Sequence, residues 1–98
     1  MFTHELHLIR SHILQYKSLL SDFQESVVFV RDTPNPAMDA SYLDQEHLVL
    51  CRERLAKECD ALLSEIERLQ MARNMLDSRL TNVMNLVSKN VGYRYELY

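Results

Sequence analysis

Two pairs of side chains stand at spacings that could hold a metal ion. His4 and His7 are three residues apart, and His47 and Cys51 are four apart. On a helix either spacing places both side chains on one face, as a zinc site requires. His12 also lies near the start of that first segment. If the two segments fold back on each other, however, the pairs fall at opposite ends and cannot pool four ligands within one chain. Solvated surface histidines are the readier account. Asp32, Asp39 and Asp44 crowd one connection and could hold a hard cation through carboxylates and loop carbonyls, although a charged, solvated loop is the readier account. No serine–histidine–acid spacing, glycine-rich phosphate loop or pair of catalytic carboxylates can be placed in a pocket, because a two-helix hairpin has none. The chain is expected not to be an enzyme and to need no cofactor.

The bulk composition bounds the elements that must position these groups. Ninety-eight residues make one small domain at most, and a chain that short buries a modest share of its surface. A partner or an oligomer is therefore in view from the outset. Hydrophobic residues form 47% of the chain and charged residues 26%, as in ordinary globular or coiled-coil chains. One glycine and two prolines leave little material for tight turns, so the elements must be few and long. The net charge of −3, without any lysine or arginine run, argues against nucleic acid and anionic lipid as partners. Cys51 and Cys59, eight residues apart on one helix, stand ~12 Å apart and cannot bridge. They read as reduced thiols of a cytoplasmic protein. No basic start precedes an apolar block and no apolar run is long enough to span a bilayer, so a soluble chain without a membrane span is expected.

The longest pattern runs from Leu48 to Val87. Leu48, Leu55, Leu62, Leu69 and Leu76 recur every seven residues and Val83 closes the series. A second row, Cys59, Ile66, Leu80 and Val87, is interrupted by Arg73. This is a coiled-coil seam with the leucine row at d and the mixed row at a. Arg52 and Arg73 at a-type positions either fix register or snorkel to the edge of the seam. In the first segment Phe2, Leu6, Ile9, Ile13, Tyr16, Leu20, Phe23, Val27 and Val30 alternate in steps of four and three, again a helix. Thr3 is its candidate cap.

Pro34 and Pro36 push Thr33 and Asn35 out of the helical region and end the first helix near Asp32. Ser41 is the better cap for the second helix and Asp44 the alternative. Gly92 offers a left-handed stop. The expected organisation is one domain over residues 1–98: helix 2–32, connection 33–40, helix 41–91 and an aromatic tail 92–98. The fold class is all-α, an antiparallel two-helix hairpin with a longer second helix and a coiled-coil-like seam. That seam is expected to contain Leu6, Ile13, Tyr16, Leu20, Phe23 and Val27 on the first helix. Leu48, Leu55, Leu62, Ile66 and Leu69 face them from the second.

The helices differ in length, and this suggests a surface. If Val30 lies near Leu48, Phe2 lies near Leu76 and everything beyond overhangs. The overhang carries Leu80, Val83, Met84, Leu86, Val87 and Val91, each forgoing roughly 1.5–3 kcal/mol of burial if left in water, and the expected interface is Leu76, Leu80, Val83, Met84, Leu86 and Val87. A second copy of the chain is the expected cover, giving a homo-oligomer, with a dimer favoured. A helix of another protein is the alternative partner.

Two stretches resemble a known family. One runs from His12-Ile13-Leu14-Gln15-Tyr16 through Leu19-Leu20-Ser21-Asp22-Phe23 to Asp32-Thr33-Pro34-Asn35-Pro36-Ala37-Met38. The other runs from Glu58-Cys59-Asp60 through Leu63-Ser64-Glu65-Ile66-Glu67-Arg68-Leu69 to Arg79-Leu80-Thr81-Asn82-Val83-Met84-Asn85-Leu86-Val87. In order, over roughly Ile9 to Val87, they resemble the cytosolic helical stalk segment of fungal CorA-like magnesium transporter proteins. The resemblance implies a long second helix that gathers with neighbouring copies, and packing biased by magnesium at acidic residues between subunits. Asp60 and Asp77 would be the second-helix contacts for that magnesium. The chain departs from the family in lacking a membrane helix and the Gly-Met-Asn signature, so it cannot conduct ions. The expected function is a soluble, non-catalytic oligomerisation or interaction module. A magnesium-sensing regulatory segment and an adaptor for another protein's helix are the alternatives.

Overall fold

The computed structural model describes residues 2–36 and 44–96. They form two helices, α1 (Phe2–Asp32) and α2 (Gln45–Glu96), which pack against each other as a hairpin with the longer helix second. No strand occurs among the described residues. The chain divides into two compact units: the first pairs Met1–Leu19 with Gln70–Tyr98, and the second is Leu20–Leu69.

Local chemistry accounts for the helix ends. The Thr33 amide donates to the Phe29 carbonyl at 2.9 Å, completing the last turn of α1, and Arg31 adds a positive charge where the helix dipole favours one. Pro34 and Pro36 then prevent continuation. At the other side of the connection Asp44 is the cap: its Oδ1 accepts from the Glu46 amide at 3.2 Å and its carbonyl from the Leu48 amide at 3.0 Å. Ser41, the expected cap, lies outside the described residues, and α2 begins at Gln45 rather than at residue 41. Thr3 sits inside α1 instead of capping it, since the helix already includes Phe2.

The expected stop at Gly92 fails. α2 continues to Glu96 and no glycine takes a positive φ. A glycine ends a helix only when the chain uses its left-handed freedom; here its backbone stays helical, and residues 93–96 of the expected tail belong to α2.

The second unit has an apolar core of Val27, Cys59 and Ile66, with Leu20 and Leu63 packed against it. Leu48 is also buried. At one edge Arg31 Nη1 donates to Asp60 Oδ1 at 2.9 Å. Residues Thr33 to Pro36 line a cavity with Arg52, Leu55 and Ala56, so the first turns of α2 lie beside the proline segment.

In the first unit Leu6, Ile13 and Arg73 are buried, and Leu80, Met84 and Val87 are half-buried. Leu6, His7 and Arg10 line a shallow groove with Thr81, Met84 and Val87. Arg73 Nη1 donates to the Ile13 carbonyl at 3.4 Å, and its other terminal nitrogen donates to Asn74 Oδ1.

These contacts correct the register expected from the sequence. With Val30 beside Leu48, Arg31 would stand level with His47 and Ile13 with Glu65. Instead Arg31 meets Asp60 and Ile13 meets Arg73, which slides α2 by roughly two to four turns at ~3.6 residues per turn. The observed level is held by the Arg31–Asp60 ion pair and by the Arg73 bond to the Ile13 carbonyl. The supposed overhang is consequently not one: Leu80, Met84 and Val87 belong to the half-buried side of the first unit.

Candidate functional site

Three rows of α2 repeat every seven residues, and they differ in burial. Cys59, Ile66 and Arg73 are buried, with Leu80 and Val87 half-buried in the same row. Ala56, Leu63, Gln70, Asp77 and Met84 are all half-buried. The row of purest leucine is buried at Leu48 but exposed beyond it: Leu55, Leu62, Leu69, Leu76 and Val83. Leu62 and Leu69 keep 46% and 51% of their surface in solvent, far too much for seam positions. The expected seam is thus corrected at Leu55, Leu62 and Leu69. Helix α1 repeats the theme, with Leu6, Ile13 and Val27 buried and Leu20 half-buried, while Tyr16 and Phe23 are exposed. Those two leave the expected seam, and Ile9 and Val30 are exposed as well.

Helical geometry puts the exposed rows on one side of each unit. At ~100° per residue, a position three after the buried row lies ~60° to one side, and a position four before it ~40° to that same rotational side. Antiparallel helices viewed along one line turn in opposite senses, so equal rotations away from a shared seam reach the same face. In the second unit Phe23 and Val30 follow Leu20 and Val27 by three, while Leu55 and Leu62 precede Cys59 and Ile66 by four. In the first unit Ile9 and Tyr16 follow Leu6 and Ile13, while Leu76 and Val83 precede Leu80 and Val87. Each unit therefore presents an apolar face built by both helices. On the opposite side α1 carries Arg10 and Lys17 in the first unit and Gln24 and Arg31 in the second.

The residues singled out for metal chemistry fall as follows. His7 lines the groove beside Leu6; His4 and His12 are exposed. Cys51 Sγ lies 3.7 Å from His47 Nε2, whereas Cys59 is enclosed in the second unit's core. Asp32 accepts from Arg31 Nε at 2.8 Å, and Asp44 serves the α2 cap. Hydrogen bonds to Asp32 and then Asp60 hold the Arg31 guanidinium above its ordinary pKa. In return, Arg31 holds the Asp32 carboxyl below the usual carboxylate range. Asp60 is engaged by Arg31, and Asp77 Oδ1 is buried without a hydrogen-bond partner. Asp39 lies outside the described residues. Among the described residues no three metal-binding side chains converge.

Of the expected interface residues, Leu76, Val83 and Leu86 are exposed, while Leu80, Met84 and Val87 are half-buried. The α1 contribution to the apolar face was missed. Its signal was present in the sequence, since Ile9, Tyr16, Phe23 and Val30 form a heptad row of their own. No described helix is long and apolar enough to cross a membrane. Compared with family models, curated proteins and solved structures, the chain matches none.

Proposed function

We propose that the chain is a non-catalytic helical self-association module whose apolar face closes against the same face of a second copy, forming a four-helix bundle. The observation that carries this reading is the exposed leucine row of α2, Leu55, Leu62, Leu69, Leu76 and Val83, together with exposed Ile9, Tyr16, Phe23 and Val30 of α1. A heptad period is what a partner helix reads, because knobs repeating at 3.5 residues stay in register only with another helix. Rows of exposed large apolar side chains are seldom left in water by monomers. The reduced thiols suit a cytoplasmic setting, and the net charge of −3 favours protein over nucleic acid as partner. The resemblance to a CorA-like stalk is of the same kind, since stalk helices work by gathering with their neighbours.

A magnesium-dependent version of this module rests on Asp77, whose buried Oδ1 lacks a partner; Asp60 is already held by Arg31. Molar mass by light scattering after size exclusion, with and without millimolar magnesium, tests both. A dimer indifferent to magnesium supports simple self-association. A mass that changes with magnesium, and ceases to do so in Asp77→Ala, supports the regulated form. A monomer under all conditions overturns both and points to a helix from a different protein.

A further inference from the structure

Thr33 differs from every other serine and threonine that the structure describes. It lies just past the end of α1, whereas the other described serines and threonines sit inside a helix. It is exposed, and its amide is fixed by the bond to the Phe29 carbonyl. It is also the one serine or threonine in the whole chain that a proline follows. A proline disfavours the helical backbone at the residue before it, so Pro34 keeps Thr33 from being drawn into a further turn of α1. An enzyme that modifies a hydroxyl grips its substrate as an open strand. A helical serine, bonded to the turns on either side of it, cannot be presented in that way.

The surroundings of the hydroxyl indicate which group it would carry. Thr33 lines a cavity of about 930 Å³ together with Arg31, Asp32, Asn35 and Arg52. The planar fork of a guanidinium matches the oxygens of a phosphate, and two arginines on one cavity suit a phosphate better than any neutral group. Arg31 is engaged by two carboxylates, Asp32 at 2.8 Å and Asp60 at 2.9 Å. The Asp60 bond ties α1 to α2, and the Asp60 side chain keeps 64% of its surface in solvent. A phosphothreonine carries about −1.5 to −2 charges at neutral pH and three acceptor oxygens. A carboxylate carries one charge and two oxygens. Between the two, Arg31 goes to the phosphate, and water takes its place on exposed Asp60.

We propose that Thr33 is a phosphorylation site for a kinase that requires proline after the acceptor, and that its phosphate draws Arg31 from Asp60 and is held by Arg31 and Arg52. In the transfer, Thr33 Oγ attacks the γ-phosphorus of ATP and the bond to the β–γ bridging oxygen breaks. ADP leaves, and the hydroxyl proton passes to a carboxylate of the kinase. Against the phosphate stand the negative end of the α1 dipole and the neighbouring Asp32. Both arginines are needed to outweigh that repulsion. The modified chain exchanges the tie between Arg31 and Asp60 for one that runs through the phosphate to Arg52.

The test incubates the full chain with ATP and a mitogen-activated protein kinase as the proline-directed probe. Fragment mass spectrometry locates the product, and phosphorus NMR follows its titration. The expected result is one phosphate, on Thr33, with incorporation lost in Thr33→Ala and in Pro34→Ala. The second ionisation of the phosphate should fall below its ordinary value of about 6 and return toward it when Arg31→Met and Arg52→Met are combined. A wild-type chain that takes no phosphate, or takes it on a helical serine, overturns the site. Equal labelling of Pro34→Ala overturns the proline requirement. A phosphate on Thr33 that titrates alike in the wild type and the double arginine variant overturns the arginine seat while the modification stands.

Discussion

Arg73 reaches across the first unit to place Nη1 3.4 Å from the backbone carbonyl of Ile13, and among the described residues it is the one charged side chain that is buried. One turn further along α2, Asp77 Oδ1 is buried without a partner. The seam thus contains a polar stretch where the heptad pattern would tolerate apolar side chains. Buried polar groups at such positions weaken the packing and fix its register. Arg73→Ala should lower the unfolding free energy by about 1–3 kcal/mol, through the lost packing of its stem and the vacated bond. Arg73→Met, which fills the space without charge, should be neutral or stabilising. Urea denaturation of both variants distinguishes the two; equal losses would mean the charge itself holds the hairpin together.

Asp77→Ala should raise stability by about 1 kcal/mol in the absence of divalent ions, because it removes an unsatisfied carboxylate oxygen. The same denaturation series, repeated with millimolar magnesium, should leave that difference unchanged if Asp77 is not a cation contact.

Exposed and buried apolar rows should respond in opposite ways. Leu62→Asp with Leu69→Asp should leave the far-ultraviolet helical signal of the dilute chain intact and halve the molar mass of the assembled one. Ile66→Ala, inside the second unit's core, should instead lower stability by about 2–5 kcal/mol. If the double leucine variant still runs as a dimer, the exposed row is not the interface.

Gly92 has a helical backbone within α2, so Gly92→Ala should stabilise the chain by about 0.5–1 kcal/mol. A loss on this substitution would mean the glycine is used in its left-handed conformation after all.

The Arg31–Asp32 pair sets a pH expectation. The Asp32 carboxyl is held below its usual range by the Arg31 hydrogen bond. Its contribution is present above the ordinary carboxylate pKa and disappears as the pH falls through the lowered folded value. Both groups are solvent-exposed, so the contribution is small. Arg31→Met should flatten the acid limb of the stability profile slightly and leave the neutral region almost unchanged.

Much of the fold was legible because period determines it. The steps of three and four from Phe2 to Val30 specify α1, and two prolines at 34 and 36 specify its end. Register was not legible. Heptad rows at Leu55 and at Cys59 are both apolar enough to be a seam, and sequence ranks the leucine row first. The structure prefers the mixed row, with Arg31 meeting Asp60 and Arg73 meeting the Ile13 carbonyl, long-range contacts that no local pattern records. The apolar face was half legible for the same reason: its residues are plain in the sequence, but their exposure follows from the register.

The twelve residues between Asp32 and Gln45 also shape how the hairpin assembles. Arg31 and Asp60 are 29 residues apart along the chain, and Ile13 and Arg73 are 60 apart. Bringing the more distant pair together first would cost ~0.6 kcal/mol more in chain entropy for that doubling of loop length. Once the nearer pair has met, the remainder can close in short steps. Assembly should therefore zip outward from the proline connection, with the contacts around Leu6 and Met84 last to form and first to exchange their amide protons with solvent.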